Sequence, residues 1–430
     1  MQREHWQSYS GFLFAAIGSA VGIGNIWRFP YLVGTNGGGA FLVPYLLVMI
    51  SFGLAFMMLE LAVGRYYNTS IIGSLANIHK KFKWIGIFTV VVATVVLSYY
   101  LVILGWILSF LVMSIMFPTS TFRDYTDSIF PLVSFFAVLA INYVIINKGI
   151  TSGVERINKY GVTVLIILIV PLTIYAVTLP GSENGIAYYL SPDFTRFSDA
   201  KIWTSVFGQV FFSLSIGFGT LVAYGSYLGK KYSLPRSSSI ILLSDVLISF
   251  TAGFMIFSIL FSFDMEPDQG VSLVFQVMPK IFSEMEFGIW IGIVFFLLLL
   301  VAGLTSSIGL FQVPVSAFED SKGYSRKKAT LASTGIVGIT GIFSALSYSQ
   351  VNLTVFGIKV LDLMDDVFGT YGLSISAVLF SIVVLWFMDK KGLLEQIGLK
   401  DSRVSWILVM MKFLLPALIV ITIVFNLLSI

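Results

Sequence analysis

The chain contains no cysteine and few charged residues. Asp, Glu, Lys and Arg make up 11% of its 430 residues, against roughly 25% in an average soluble domain. Without cysteine it can form no disulfides, thiolate metal sites or cysteine nucleophiles. The two histidines, His5 and His79, lie in polar segments without partners at metal-ligand spacing. No activated nucleophile, phosphate-binding loop or paired acid and base is recognisable, and the chain is not predicted to be an enzyme.

Hydrophobic residues are abundant: they form 57% of the chain, and the mean hydropathy is +0.93. Apolar runs of about 20 residues recur, long enough to cross a bilayer as helices. Hydrocarbon cannot pair with backbone polar groups, so repeated spans of this length predict an all-α integral membrane protein. The first run lacks a small-residue cleavage site and is not predicted to be a removable signal peptide. We predict eleven transmembrane helices, spans 1 to 11, at approximately 9–34, 39–63, 84–117, 129–147, 160–180, 202–228, 239–262, 287–318, 329–347, 355–388 and 404–429.

Basic residues of the connecting segments lie almost entirely on one side of the predicted bundle. Only Arg123, Arg196, Lys201 and Lys280 fall on the other side. The positive-inside rule then places the N-terminus in the cytoplasm and, with an odd number of spans, the C-terminus outside. We attribute the net charge of +4 to this topology and predict no nucleic-acid partner. The expected location is a prokaryotic inner membrane.

Two apolar spans are interrupted in the same way. Span 1 contains AVGIGNIWRFP at residues 20–30, and span 6 contains SLSIGFG at residues 213–219. Five spans separate them, so two such halves would lie in opposite orientations, and paired glycine-interrupted helices mark a transporter's binding site. Freed carbonyls can replace the hydration shell of a cation, and half-helix N-termini can receive an anionic group. The side chains available to complete cation shells are Asn25, Ser213, Asp245, Thr305 and Ser306.

Seven blocks resemble the neurotransmitter:sodium symporter family, in particular its bacterial amino-acid transporters. They are REHW, GNIWRFPY, NGGGAF, SYY, GQVFFSLSIGFG, AGLTSSI and LDLMDD, in the same order and spacing. The resemblance covers essentially the whole chain. It implies the LeuT fold, in which a single transporter domain, 1–430, forms a 5+5 inverted repeat with unwound helices 1 and 6. Spans 1–5 (about 9–180) would be the first repeat, spans 6–10 (about 202–388) the second, and span 11 (404–429) an accessory helix.

The resemblance also implies ligands for two sodium ions. The first sodium would be held by the carbonyl of Ala20, by the substrate carboxylate, and by Asn25, Ser213 and Asp245. The second would be held by carbonyls of Gly18, Val21 and Ala302 and by the hydroxyls of Thr305 and Ser306.

The substrate would be an amino acid held by backbone and side-chain groups of the same spans. Its carboxylate would meet the amides of Ile23 and Gly24 and the hydroxyl of Tyr100. Its ammonium would meet carbonyls of Ala20, Phe212 and Ser213, with Ser215 nearby. The pocket for its side chain would be lined by Val96, Tyr100, Phe212, Ser215, Phe218, Ser306, Gly309 and Leu310. That lining favours an apolar side chain, and Gly309 inclines the prediction toward tyrosine, tryptophan or leucine.

Two gates follow from the same resemblance. Arg28 and Asp365 would form the outer pair, and Tyr100 with Phe212 a lid over the substrate. The inner gate would consist of Arg3, Trp6, Tyr227, Gln312 and Asp320. Glu60 would brace the unwound backbone, and Gly161 with Pro171 matches a Gly-x9-Pro pattern of span 5. Pro171 cannot donate to the carbonyl of Ile167, and we expect local unwinding there to let water reach the second sodium.

Asp245 departs from the family pattern, which usually has asparagine at this position. Chloride-dependent members bind chloride one helical turn along, near Ser249. A fixed carboxylate could supply the charge that chloride supplies elsewhere, so chloride independence is predicted. Ser213 replaces a more usual threonine but keeps its oxygen.

The predicted function is sodium-coupled symport of a hydrophobic or aromatic L-amino acid by alternating access. An amino-acid exchanger or a transceptor with the same binding site stays open as an alternative. A leak channel is disfavoured because a channel needs a continuous polar pore, whereas this sequence offers two occluding gates.

Overall fold

The computed structural model describes residues 4–116, 121–265 and 273–398, with 412, 413, 416, 417 and 420. Arg3 therefore lies outside the described residues, and so does most of the predicted span 11. Within these ranges, eight helices are long and apolar enough to cross a membrane. The number becomes nine if Tyr9–Ala20 and Gly24–Thr35, which are bent by 48° at a short break, count as one span.

Spans 1 to 10 all have helical counterparts close to the predicted ranges. Span 6 consists of two short helices, so it is not counted by length above. The bounds are Tyr9–Ala20 with Gly24–Thr35, Gly39–Tyr67, Lys80–Met116, Phe130–Asn147, Ile150–Val177, Ala200–Ser213 with Thr220–Gly225, Leu234–Ser262, Gly288–Lys322, Arg326–Ser347 and Val360–Phe387. Among the described residues, five stretches have π-helical geometry, in which each turn holds an additional residue: Gly24–Arg28, Met49–Gly53, Ile150–Glu155, Leu273–Val277 and Asp365–Gly372.

Shorter elements connect the spans. The helices are Ile71–Ile78, Phe122–Thr126, Ser182–Leu190, Met278–Glu284 and Lys390–Ile397, with 3-10 turns at Lys80–Phe82 and Phe194–Ser198. One antiparallel hairpin pairs Thr354–Val355 with Ile358–Lys359.

Spans 3 and 8 form the centre of the bundle. Lys83–Met116 and Gly288–Lys322 pack along each other and bury most of their middle residues. Span 5 lies at the periphery, where Ile167 is 62% exposed and Ile174 60% exposed. An apolar side chain at such a position is compatible with lipid contact, since hydrocarbon is as apolar as the side chain itself.

Two boundaries differ from the sequence-based prediction. Span 5 begins its regular helix at Arg156 and continues through Pro171 to Val177, so it is not broken at the proline. Span 10 begins at Val360 rather than near residue 355. The hairpin precedes it because Phe356 and Gly357 adopt positive φ angles of 54° and 80° and reverse the chain.

Candidate functional site

The breaks in spans 1 and 6 face each other inside the bundle. Val21 is extended, with φ −79° and ψ 108°, and ends the first half of span 1. In span 6, Ser215, Gly217 and Gly219 have φ angles of 53°, 83° and 77°. The Ser215 hydroxyl donates to the carbonyl of Ser19 at 2.8 Å, which joins the two breaks directly.

Glycine in span 1 permits close approach to its neighbours. A Cβ on Gly24 would lie 2.9 Å from Cδ1 of Phe212, and one on Gly22 would lie 2.9 Å from the Ser306 hydroxyl oxygen and 3.0 Å from that of Tyr100. The two glycines of GIGN therefore allow spans 3, 6 and 8 to meet the broken backbone.

Three side chains predicted for the first sodium meet at the break. The Asn25 amide nitrogen donates to Ser213 Oγ at 3.0 Å and to Asp245 Oδ1 at 2.7 Å. The Ser213 hydroxyl donates to both Asp245 oxygens, at 2.9 and 3.0 Å. Asn25 and Asp245 are completely buried. Oxygen atoms of a carboxylate, an amide and a hydroxyl are the ligands that hard cations such as sodium prefer, so this donor set fits the ion.

The hydrogen-bonded cluster at the break contains more residues than were predicted from the sequence. Tyr45 donates its hydroxyl to Asp245 Oδ2 at 3.3 Å, and Asn25 also donates to Ser249 Oγ at 2.8 Å. Gln209 donates to the carbonyl of Gly24 at 3.2 Å. Within the described part of the chain no Lys or Arg forms an ion pair with the Asp245 carboxylate. The described hydrogen-bond donors to Asp245 are thus all neutral.

The hydroxyls predicted for the second sodium lie between spans 1 and 8. Thr305 donates to the carbonyl of Ala302 at 2.9 Å, and Ser306 donates to the carbonyl of Ser19 at 3.2 Å. A Cβ on Gly18 would lie 3.1 Å from Cβ of Thr305. The structure thus brings Gly18, Ala302 and Thr305 into one neighbourhood, again with oxygen donors alone.

The predicted substrate residues divide into two groups. Tyr100 is buried, and its hydroxyl accepts the Ile23 amide at 3.4 Å. Together with Gly24 and Phe212 they line a cavity of about 210 Å³. The remaining predicted substrate residues are buried and do not line that cavity: Ala20, Val96, Ser213, Ser215, Phe218, Ser306, Gly309 and Leu310.

Gly309 permits close contact between spans 1 and 8. A Cβ there would lie 2.3 Å from Ser19 Oγ and 3.3 Å from Cγ2 of Thr220. In this conformation the space beside Gly309 is filled by the protein itself, and the substrate size inferred from this glycine stays a prediction.

Arg28 and Asp365 line the same cavity but form no direct ion pair within the described residues. Arg28 donates to Gln209 Oε1 at 3.1 Å and lies 5.1 Å above the ring of Phe212. Asp365 accepts the Tyr99 hydroxyl at 2.7 Å. The predicted outer pair therefore faces a shared space without closing it.

The inner cluster holds the N-terminal segment in place. The Trp6 indole donates to the carbonyl of Tyr224 at 3.1 Å, and Gln312 donates to the Tyr227 hydroxyl at 2.8 Å. Asp320 accepts the amide of Ser70 at 2.5 Å. Arg3, the remaining residue of the predicted inner gate, lies outside the described residues.

Arg326 belongs to this inner cluster although the sequence analysis did not select it. It donates to Gln312 Oε1 at 2.7 Å and to the carbonyl of Ile146 at 3.1 Å, and it lies 3.5 Å from Glu319. Because Arg326 stands in a run of basic residues, the sequence indicated only on which side of the membrane this segment lies. No local pattern distinguishes it from Lys327 and Lys328.

The residues predicted to be structural have defined contacts. Glu60 Oε1 accepts the amide of Gly217 at 3.0 Å, which braces the break in span 6. A Cβ on Gly161 would lie 2.5 Å from Cγ2 of Thr305, so this glycine permits contact between spans 5 and 8. Pro171 lies within an unbroken helix.

Two broken helices that share buried oxygen clusters, with a cavity on one side and a pinned terminal segment on the other, define a multi-pass secondary transporter. The profile of the sodium:neurotransmitter symporter family matches residues 3–123 and 120–430. The chain belongs to this family, and it is a sodium-dependent transporter with the LeuT fold.

Individual relatives agree with this assignment. An uncharacterized sodium-dependent transporter of Methanocaldococcus jannaschii is 37% identical over 93% of this chain and 85% of its own length. The sodium-dependent serotonin transporter of Drosophila melanogaster is 31% identical over 74% of this chain and 60% of its own length. The crystal structure of MhsT in complex with L-phenylalanine superposes with a TM-score of 0.90 at 33% identity, over 98% of this chain and 99% of that one.

Proposed function

We propose that this protein imports a hydrophobic or aromatic L-amino acid together with two sodium ions and without chloride. The observation that carries the proposal is the cluster of Asn25, Ser213 and Asp245, which joins the two broken helices through oxygen atoms. A cation bound there and a substrate carboxylate beside it would each raise the other's affinity, because coupling between two binding sites is reciprocal.

The backbone around the break supports recognition of an amino acid. The amides of Ile23 and Gly24 and the Tyr100 hydroxyl would receive the carboxylate, and carbonyls of Ala20, Phe212 and Ser213 would receive the ammonium. Half-helix N-termini attract anions, whereas freed carbonyls attract cations. The relative MhsT was crystallised with L-phenylalanine, which supports an apolar or aromatic side chain.

Asp245 supports chloride independence. It is completely buried, and its described partners are neutral donors. A bound sodium ion would compensate its charge, so no second anion is needed for local neutrality. Burying an uncompensated charge costs several kcal/mol, which favours a cycle in which sodium occupies this site before the cluster closes.

Alternating access would be a rocking of spans 1, 2, 6 and 7 against spans 3, 4, 8 and 9. The N-terminus would lie in the cytoplasm of a prokaryotic cell, and the cavity lined by Arg28 and Asp365 would open to the outside. The inner cluster around Trp6 and Gln312 would close the cytoplasmic side.

The test is uptake of labelled tyrosine, tryptophan, leucine and alanine into proteoliposomes with an inward gradient of sodium or potassium. We expect accumulation only with sodium, undiminished when gluconate replaces chloride, and greatest for the large apolar amino acids. Asn25→Ala should abolish accumulation, whereas Asn142→Ala, which removes a buried asparagine of span 4 outside the sodium cluster, should retain it. Sodium-independent accumulation, or equal loss in both variants, would overturn the proposal.

An exchanger with the same site is the second candidate. It is favoured if preloaded vesicles show rapid counterflow while net sodium-driven accumulation is absent. A transceptor would bind substrate with sodium but move neither at a measurable rate.

A further inference from the structure

Asn158 on span 5 presents a buried carbonyl oxygen that has no hydrogen-bond partner among the described residues. The residue is 0% exposed, and its amide nitrogen donates to the carbonyl of Val154 at 2.9 Å, which fixes the orientation of the amide. Its Oδ1 atom is unpaired. The large majority of buried side-chain polar atoms have a partner, so this oxygen calls for an explanation.

The unpaired oxygen points to the second sodium site. A Cβ on Gly18 would lie 2.1 Å from Asn158 Oδ1, so the oxygen packs directly against the backbone of Gly18. The same Cβ would lie 3.1 Å from Cβ of Thr305. Asn158 and Thr305 thus flank Gly18 from two different spans.

A row of residues continues from this point toward the N-terminal segment. Glu155 lies three residues before Asn158, about 4.5 Å along the helix, and its carboxylate accepts the amide of Gln7 and the hydroxyl of Ser8, each at 2.9 Å. Gly161 lies three residues after Asn158 and contacts Thr305. One face of span 5 therefore leads from the second sodium site to the segment that closes the inner side.

The helix is irregular where this row begins. Ile150–Glu155 forms a π-helical stretch immediately before the regular helix, and such stretches are frequent at functional sites. Release of Gln7 and Ser8 from Glu155 would free its carboxylate and open the path next to Asn158.

We propose that the Oδ1 atom of Asn158 is a transient ligand of the second sodium ion as it passes between its site and the cytoplasm. Amide oxygens are good ligands for hard cations. The Asn158 oxygen has no described hydrogen-bond partner that a sodium ion would have to displace. A ligand on the path speeds binding and release alike and leaves the equilibrium unchanged. The inference rests on the second sodium site of the proposed function.

The experiment measures sodium rather than transport. The full-length protein in nanodiscs is loaded with radioactive sodium; equilibrium binding gives the Kd, and dilution gives the release rate. Thr305→Val identifies the phase that belongs to the second site. Asn158→Leu removes the oxygen at nearly constant volume. Asn142→Leu is the control, because Asn142 is equally buried and also donates to the carbonyl four residues before it, that of Val138, whereas its oxygen already accepts the Ser307 hydroxyl at 2.9 Å.

We expect Asn158→Leu to slow release of the second sodium at least fivefold while its Kd stays within twofold, and Asn142→Leu to change neither beyond twofold. If the leucine variant does not fold, Asn158→Ser withdraws the oxygen from Gly18 with a side chain that membrane helices accommodate. An unchanged release rate, or a Kd changed more than fivefold, overturns the inference alone. Absence of a sodium-binding phase in the unaltered protein would overturn the proposed function as well.

Discussion

The electrostatics of the candidate sodium site depend mainly on one residue, Asp245. Its carboxylate is completely buried, with Asn25, Ser213 and Tyr45 as neutral donors. Neutral hydrogen bonds offset part of the cost of burying a charge, and an adjacent cation offsets much more because the local dielectric constant is low. In the proposed function, Asp245 would therefore couple the closed arrangement of spans 1, 6 and 7 to the presence of the ion.

Removing this charge should create a requirement for chloride. In Asp245→Asn we expect sodium-driven uptake in gluconate to fall about tenfold or more, equivalent to only about 1.4 kcal/mol, and to recover when chloride is added. Asp362→Asn alters a carboxylate that lines the outer cavity, so it should leave uptake indifferent to chloride. The measurement is initial uptake with the two anions. Equal uptake of Asp245→Asn in both media would contradict the charge-replacement argument.

At the scale of single elements, the breaks depend on backbone conformations that only certain residues adopt easily. Gly217 has a φ of 83°, its amide is bound by Glu60, and its carbonyl accepts the Ser376 hydroxyl at 2.7 Å. The break of span 6 is thus held from span 2 and span 10, which satisfies backbone groups that lipid could not.

Gly217→Ala should weaken the break. The left-handed conformation costs about 1–2 kcal/mol for a residue with a Cβ, and the Cβ would lie 3.0 Å from Cδ1 of Leu373. We expect the unfolding temperature to fall by several degrees and uptake to decrease. Gly335→Ala is the control, because no described atom beyond its own stretch of helix lies within 4 Å of the added Cβ and helical alanine is favoured by about 0.5–1 kcal/mol. A thermal melt in which both variants behave alike would contradict the argument.

Span 5 offers a second prediction at this scale. Pro171 lies in a continuous helix, and its missing N–H leaves the carbonyl of Ile167 without its helical partner. Pro171→Ala restores that donor and stiffens the helix, so we expect slower efflux from preloaded vesicles with unchanged sodium-dependent substrate binding. Unchanged efflux would show that span 5 does not need to unwind at this residue.

The sequence was sufficient to predict the elements but not all of their contacts. Glycines next to Asn25 and Arg28 indicated a break in span 1, because a regular lipid-facing helix is not expected to combine glycines with polar and charged residues. Arg326 and Asn158 were missed because they contact residues far away in the chain, Ile146 and Gly18 respectively. The π-helical stretch at the start of span 5 was missed as well, because it produces no periodic pattern in the sequence. Conversely, Arg28 and Asp365 carry the expected charges, yet each bonds to other groups here.

At the scale of the whole molecule, the two ends of the helical bundle differ in their charge, and one end has a cavity whereas the other is closed by the N-terminal segment. Lys327 lies at the end of span 9 that is rich in basic residues, whereas the hairpin tip at Phe356 follows the opposite end. Phe356 is 98% exposed and Lys327 is exposed as well. These two positions therefore report opposite sides of the membrane.

The absence of cysteine makes this arrangement directly testable, because the unaltered chain gives no background with thiol reagents. We expect Phe356→Cys to react with an impermeant maleimide added to intact cells, and Lys327→Cys to react only after permeabilisation. The unaltered protein serves as the control. The reverse pattern would place the N-terminus outside and invert the predicted orientation.

The carbonyl of Ser19 accepts hydroxyls from Ser215 of span 6 and Ser306 of span 8. A carbonyl oxygen has two lone pairs, so both are used and no water can bind there while the three spans stay together. A tilt of span 6 or span 8 that breaks one of these hydrogen bonds frees one lone pair at a buried position, since Ser19 is 1% exposed. Water that reaches the two breaks would then bind this carbonyl, and an isotope-edited infrared band of the Ser19 carbonyl would record the exchange of a hydroxyl for water.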